Sequence, residues 1–347
     1  MTEASVDSTV SVIVVTFNSA RTIKFCLDSI ASQTLAPHEV FVVDNSSSDT
    51  TLSALSERSG IKLLALTSNI GFPGACNLAA SASGGKFLAF VNPDLSLATD
   101  CLERLVDFLE TYPKVGAVSS KIYLSDLVRL SRARVNADGN DANYLLFAWA
   151  RRCGLEDMPG SNPFPVLYPS GAAMVIRKDA FDDLGGFDPD LFLYHDDVDL
   201  GLRLRIRGWD VVSVPSATAF HDYEFLRHPK KFFYLERNRL IVLTKIFSLG
   251  TLVKIFPALV VAEMAVVAFA ASSGWFSHKV ASYVEFARKL PATVARRKEV
   301  ARTRSVKDSQ ILRYCLGGIY HPFLSESPWL SQLNQLLEKY RKAFLTP

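Results

Sequence analysis

Three aspartates within four residues, Asp196, Asp197 and Asp199, follow His195 and open a segment of helical spacing. Carboxylates this close repel one another, so at least one must keep its proton above the usual carboxylate range. In a cleft such a group is a candidate general base. Asp196 and Asp197 are the candidates for that base. Asp199 is assigned to capping the helix, and capping by all three is the structural alternative. Another carboxylate, Asp94, lies one proline beyond the apolar run Lys86–Val91, with Asn92 two residues before it. A carboxylate at a strand end can hold a hard divalent cation through oxygen. A cation so held against a diphosphate would offset charge on a leaving group. His221 ends a short apolar strand; it matters as a partner for Asp94 and is otherwise a structural histidine.

These residues need elements to place them. Val10–Thr16, Glu39–Val43, Ile61–Leu66, Lys86–Val91 and Val115–Ser120 read as strands. The helices between them are expected near Thr22–Ser32, Thr50–Arg58, Pro73–Ala82 and Thr99–Tyr112. This alternation predicts an α/β fold, a mostly parallel sheet covered on both faces. Ligands of such sheets bind beyond the carboxyl ends of the strands. Four of those ends carry polar groups: Thr16-Phe17-Asn18, Asp44-Asn45, Ser68-Asn69 and Asn92-Pro93-Asp94. Any one of them is an ordinary turn composition; four on one rim predict a site. Tyr123–Pro165 reads as an irregular insertion, with the surface pairs Arg132/Arg134 and Arg151/Arg152. Regular structure resumes at Val166–Arg177. A helix follows near Asp179–Leu184, another over Asp196–Gly208, and two short strands at Val211–Val214 and Thr218–His221.

Composition sets the class. The 347 residues are 49% hydrophobic and 21% charged, which excludes a disordered chain, a fibre and a disulfide-stapled module. Five scattered cysteines without a C-x-x-C suit a reducing cytosol. The polar, acidic N-terminus lacks the basic and apolar regions of an export signal. The net charge of +3 divides unevenly: 18 basic and 28 acidic residues up to Glu224, then 20 basic and 7 acidic. Long apolar runs within the basic part favour an anionic membrane surface over nucleic acid. Thr251–Ala271 is almost wholly apolar. It places Lys254 and Glu263 on opposite helical faces and is expected to divide at Pro257. Burial in a core or in a homo-oligomer interface is the alternative. Arg288–Lys307 carries eight basic residues that would meet anionic lipid. A last helix is expected from Ser327 as cap and Pro328 as first residue, with Trp329, Leu333, Leu336, Leu337, Tyr340 and Phe344 as its apolar face.

In order, the chain shows Ser11-Val-Ile-Val-Val-Thr-Phe-Asn-Ser19, Val42-Val-Asp-Asn-Ser46, Asn69-Ile-Gly-Phe72, Asn92-Pro-Asp94, Ser170-Gly-Ala-Ala-Met174, Gly185-Gly-Phe-Asp188, Asp196-Asp-Val-Asp-Leu200 and His221. This series resembles the family 2 inverting glycosyltransferases, particularly their rhamnosyltransferase-like members, over about Val10–Arg239. The resemblance implies a GT-A fold over residues 1–225, with a nucleotide-binding half (about 10–120) and an acceptor half (about 121–225). Residues 226–347 would then form a helical, membrane-associating appendage. It also implies a nucleotide-diphosphate sugar donor and a divalent cation, Mg2+ or Mn2+; the basic, apolar tail adds the expectation of a glycan or lipid-linked acceptor at the cytoplasmic membrane face. By motif, Thr16, Asn18, Asp44, Asn69, Gly71, Asn77, Asn92 and Gly171 would bind the donor, joined by Arg237 in the segment Glu236–Leu240. Asp94 and His221 would hold the metal, with Asn92 where the motif usually has a first aspartate. Asp197, with Asp196 beside it, would be the base. The Gln-x-x-Arg-Trp signature of processive synthases is absent, which implies addition of single sugars. A sugar nucleotidyltransferase and a non-catalytic nucleotide-sugar binder are the rival readings; the first lacks its Gly-rich basic loop at Thr16–Arg21.

Overall fold

The computed structural model describes residues 9–126, 129–157, 162–223, 230–320 and 328–345. The expected alternation is present: β1 (Val10–Thr16), α1 (Ile23–Ala31), β2 (Glu39–Asp44), α2 (Thr51–Ser56), β3 (Lys62–Ala65), α3 (Gly71–Ala82) and β4 (Phe87–Val91). Then come β5 (Leu95–Leu97), α4 (Cys101–Thr111) and β6 (Val115–Asp126). β1 is central and pairs in parallel with both β2 and β4. Its β-branched run is buried on both sides, as a central parallel strand requires. Val10, Val12 and Val14 pack with α1, α2 and α4, whereas Ile13 and Val15 pack with α3 on the other face.

The segment expected to be irregular is built of strands. β6 continues to Asp126, β7 (Arg129–Ala137) pairs antiparallel with it, and β8 (Asn140–Ala142) and β9 (Ala148–Ala150) form a small second sheet. Val135 and Ala137 supply the buried face of β7, while intervening polar residues such as Arg134 and Asn136 give the stretch the look of a loop. β10 (Phe164–Pro165), β11 (Ala173–Arg177), α5 (Lys178–Asp183), a 3-10 turn at Pro189–Leu191 and α6 (Asp196–Ile206) follow. The two short strands expected near the end of the body are one, β12 (Asp210–His221); a register shift between Val214 and Thr218 accommodates Pro215. Among the described residues the main sheet runs β10-β12-β6-β11-β4-β1-β2-β3, with β11 antiparallel to both neighbours and β5 and β7 attached at β12 and β6.

Among the described residues, five helices follow: α7 (Lys231–Ile246), α8 (Leu249–Ser272), α9 (Phe276–Arg302), α10 (Asp308–Leu312) and α11 (Pro328–Phe344). α8 runs unbroken through Pro257, so the expected division does not occur. One core cluster joins Leu191, Val198, Leu202 and Ile206 to Ile241–Val242–Leu243, Ile255, Ala258 and Leu337, and so spans the boundary expected at 225/226 between the catalytic body and its appendage. α11 docks on the protein: Leu330, Leu333 and Leu337 are buried, and the Tyr340 hydroxyl donates to the Lys254 carbonyl at 2.7 Å. Leu336 and Phe344, placed on its apolar face by sequence, point outward. The cap Ser327 lies outside the described residues.

Candidate active site

A cleft of about 300 Å³ opens where β4, β7, β11 and β12 meet the start of α6. Asn92, Asn136, Gly171, Asp196, Asp197 and His221 all line it, so sequence positions more than a hundred residues apart meet there.

The Asp196–Asp197 side is built on a strained loop. Phe192, Tyr194 and His195 have φ of 64°, 66° and 60°, the left-handed region that costs a non-glycine residue roughly 1–2 kcal/mol each. His195 is buried and its ring Nε2–H donates to the Leu146 carbonyl at 3.1 Å. Burial pushes its pKa down to about 4, so it is neutral at physiological pH. The helix that follows directs its first two carboxylates differently. Asp196 is buried, while Asp197 is half-buried and faces the cleft. Asp197 Oδ1 accepts from the Val198 N–H at 2.8 Å and Oδ2 from the Gly171 N–H at 3.2 Å. Burial raises both carboxyls well above the carboxylate range, and the charge of Asp197 raises Asp196 further. Asp199 does not cap the helix. It is fully buried and pairs with Arg203 at 2.8 Å and Lys245 at 2.6 Å, because two cations from α6 and α7 reach it there.

The second group of polar side chains is assembled by β5 and β12, which pair His221 with Leu95 and so carry the histidine to Asp94. His221 Nε2 lies 3.2 Å from Asp94 Oδ1, and its Nδ1 lies 3.0 Å from Asn136 Oδ1. An amide oxygen accepts, so the Nδ1 proton is directed at Asn136 and Nε2 is turned toward the carboxylate. Carboxylate oxygen and imidazole nitrogen are ordinary ligands of Mn2+-like ions. The pair fits a divalent cation, although among the described residues no third His, Cys, Asp or Glu completes a cluster. Asn136 was missed by the sequence reading because it lies in the stretch taken for a loop.

The strand-end residues of β1 to β3 form a linked rim. Asn18 Oδ1 accepts from the Ser48 N–H at 2.8 Å; Asp44 accepts from the Ser47 N–H and hydroxyl; Asn45 Oδ1 accepts from the Ile70 N–H. Asn69 Oδ1 in turn accepts from the Gly71 N–H. The Thr16 hydroxyl is buried and finds no hydrogen-bond partner among the described residues. Three residues expected at the donor face other tasks. Asn77 uses both ends of its amide on the Phe187 backbone at 2.9 Å, across the α3–α5 packing. Gly71, φ +78°, permits contact with the strained loop: an added Cβ would lie 2.5 Å from the Phe192 carbonyl oxygen. Arg237 is buried, and its guanidinium donates to the Asp190 and Leu191 carbonyls rather than into the cleft.

The comparisons with known proteins agree with this layout. The family described as Glycosyl transferase family 2 matches residues 11–185. An N-acetylglucosaminyl-diphospho-decaprenol L-rhamnosyltransferase of Mycobacterium tuberculosis is 28% identical over 60% of this chain and 75% of its own length. The O-antigen biosynthesis protein RfbC of Myxococcus xanthus is 30% identical over 61% of this chain, but over only 17% of its own. Among solved structures, the mannosyltransferase PcManGT of Pyrobaculum calidifontis with GDP-Man and Mn2+ superposes with TM-score 0.51 at 19% identity, covering 98% of this chain and 86% of that one. GalNAc-T7 with UDP, GalNAc and Mn2+ gives 0.57 at 15% identity, covering 70% of this chain and 48% of that one.

Proposed function

Since the chain belongs to glycosyl transferase family 2 and is a glycosyltransferase of GT-A fold, we propose that it moves one sugar, with inversion, from a nucleotide-diphosphate sugar to an acceptor hydroxyl. The observation that carries this reading is the convergence on one cleft of Asp197, a half-buried, hydrogen-bonded carboxylate of raised pKa, and His221, whose ring reaches Asp94. Asp197 accepts the hydroxyl proton as the acceptor oxygen bonds to the anomeric carbon and the bond from that carbon to the diphosphate breaks. The Gly171 and Val198 N–H groups hold the carboxylate in place for that transfer. Asp94 and His221 would hold a divalent cation, with Asn136 fixing the imidazole. When bound, the ion supplies positive charge to the departing diphosphate. Two solved structures of this fold are complexes with Mn2+, which supports a divalent cation.

A relative that acts on a decaprenol-linked diphosphate supports a lipid-linked acceptor. The outer face of α8 supports a membrane surface, on the cytoplasmic side. This helix is long and apolar enough to span a membrane by length and composition, yet only 17% of its most apolar window is buried. Nucleoside-diphosphate release from UDP-glucose, dTDP-L-rhamnose and GDP-mannose, with Mn2+ and a prenyl-diphosphate-linked N-acetylglucosamine, tests the reading. Asp197→Asn should bind the nucleoside diphosphate as the wild type does and lose about a thousandfold in turnover. An inactive Asp196→Asn beside an active Asp197→Asn would move the base to Asp196. Asp94→Ala should lose the Mn2+-dependent part of nucleoside-diphosphate binding.

A further inference from the structure

The loop that delivers the base has an unusual support. Leu191, Leu193 and Tyr194 present three carbonyls to one side, and one side chain meets them all. The Asn238 Nδ2 lies 2.9, 2.8 and 2.7 Å from those oxygens, so its two protons are shared among three acceptors. Asn238 is fully buried, and the carbonyls it serves have no water to turn to on that side. The orientation of the amide is determined: Arg237 Nε–H donates to Asn238 Oδ1 at 2.9 Å, which leaves only the NH2 end for the loop. Arg237 adds a bond to the Leu191 carbonyl at 2.7 Å. About two helical turns further along α7, Lys245 bonds Asp188 at 2.5 Å and Asp199 at 2.6 Å, and so pins both ends of the segment that contains the loop.

We propose that Asn238 is a positioning residue for the catalytic base: it holds the loop 192–195, with Phe192, Tyr194 and His195 at positive φ, in the conformation from which Asp197 faces the cleft. The inference rests on Asp197 being the base. Asn238 does not line the cleft, so it acts through the loop and not on the substrate. The other buried ionic groups nearby on α7 serve a different place. Glu236 and Arg239 join Glu263 of α8 and Lys279 of α9 in one cluster, which gives the control.

The test compares Asn238→Ser, which keeps one donor, Asn238→Asp, which keeps none and sets a carboxylate against three carbonyls, and Glu263→Gln in the other cluster. Each is assayed for kcat and KM with whichever of UDP-glucose, dTDP-L-rhamnose and GDP-mannose the wild type turns over. Melting temperature and amide hydrogen exchange are measured on the same samples. Asn238→Ser should lose about tenfold in kcat and Asn238→Asp about a hundredfold, with donor KM within about threefold. Amides of residues 193–197 should exchange about tenfold faster in Asn238→Ser, while Glu263→Gln leaves both readouts near the wild type for a similar fall in melting temperature. If Asn238→Asp does not fold, Asn238→Ser decides. Unchanged exchange in folded Asn238→Ser, or a kcat no lower than that of Glu263→Gln, overturns the proposal. Asp197→Asn in parallel separates the two claims. Wild-type turnover in it removes the base assignment and this proposal together. An inactive Asp197→Asn beside an indifferent Asn238→Ser removes this proposal alone.

Discussion

Helices α7 and α8 follow one another in the chain and reverse the usual relation of polarity to burial. α7 buries Glu236, Arg237, Asn238, Arg239 and Lys245. α8 is almost wholly apolar, yet Val253, Phe256 and Met264 are each more than half exposed. The difference teaches that the partner of a side chain, and not its own polarity, decides where it sits. The charges of α7 meet opposite charges or loop carbonyls, which offset their desolvation. Among the described residues, no other element covers Val253, Phe256 and Met264 of α8, as expected of a face that a second medium covers. Its inner side is engaged: Ile255, Ala258 and Ala262 pack inward, and Glu263 turns to Arg239 and Lys279.

The strongest way to break this comparison is to unpair α7. Arg239→Met leaves Glu236 and Glu263 short of a cation in a buried place. It should cost about 3–5 kcal/mol in chemical denaturation. A loss under about 1 kcal/mol, the range of exposed pairs, would show that the cluster is solvated.

On α8 the expectation reverses. Phe256→Ser, Val260→Ser and Met264→Ser together should leave the folded state nearly as stable as before, since exposed positions tolerate change. The triple variant should nevertheless lose at least about tenfold in association with lipid vesicles, given about 1.5–3 kcal/mol for each large apolar side chain fully buried. A destabilised protein with unchanged vesicle binding would mean that the stripe packs on protein.

The basic run sharpens the same contrast, because part of it is already engaged. Arg296 bonds Asp188 and Asp190 at 2.8 and 2.9 Å, Lys289 bonds Asp190, Arg297 donates to the Thr244 carbonyl and Arg304 bonds Asp308. The expectation that all eight residues meet lipid therefore needs correction: the acidic body takes Arg296 and Lys289, and the C-terminal part itself takes Arg297 and Arg304. Lys298 and Arg302 remain exposed. Lys298→Gln with Arg302→Gln should weaken binding to anionic vesicles by about 1 kcal/mol per residue, and leave binding to neutral vesicles unchanged. Equal loss on both vesicle types would dismiss the electrostatic contribution.

The smallest effect concerns a buried charge that lacks the compensation α7 enjoys. Burial, then the neighbouring Asp197, raise the pKa of Asp196, so the folded protein keeps a proton that the unfolded chain has released. Stability from this group thus falls as pH rises from the ordinary carboxylate range through the raised one. Asp196→Asn cannot ionise and should melt roughly 2 °C higher than the wild type above neutral pH, converging with it in acid. A difference independent of pH would refute that cause.

Much of the fold was legible because its signals are local. β1, β2 and β4 are apolar runs buried on both faces, and the turn residues that end them need no distant partner to be recognised. β7 was not legible, since Val135 and Ala137 alternate with polar residues whose partners lie elsewhere in the chain; Asn136 meets His221 across 85 residues. Within the site, Asp94, His221 and Asp197 could be named from type and motif. Asn77 and Arg237 could not be placed, because an amide or a guanidinium suits a phosphate and a backbone carbonyl equally well.

Type and periodicity by themselves determined the α/β alternation, the polar rim at the strand ends, the carboxylates available for chemistry and the reversal of charge along the chain. Only the tertiary structure decided how deeply each of two adjacent aspartates is buried, that Asp199 belongs to Lys245 and Arg203, and that α7 supports the loop before Asp196. The reason is physical. Periodicity fixes the face on which a residue lies. The direction of a hydrogen bond, the shift of a pKa and the burial of a charge depend on atoms contributed from far along the chain.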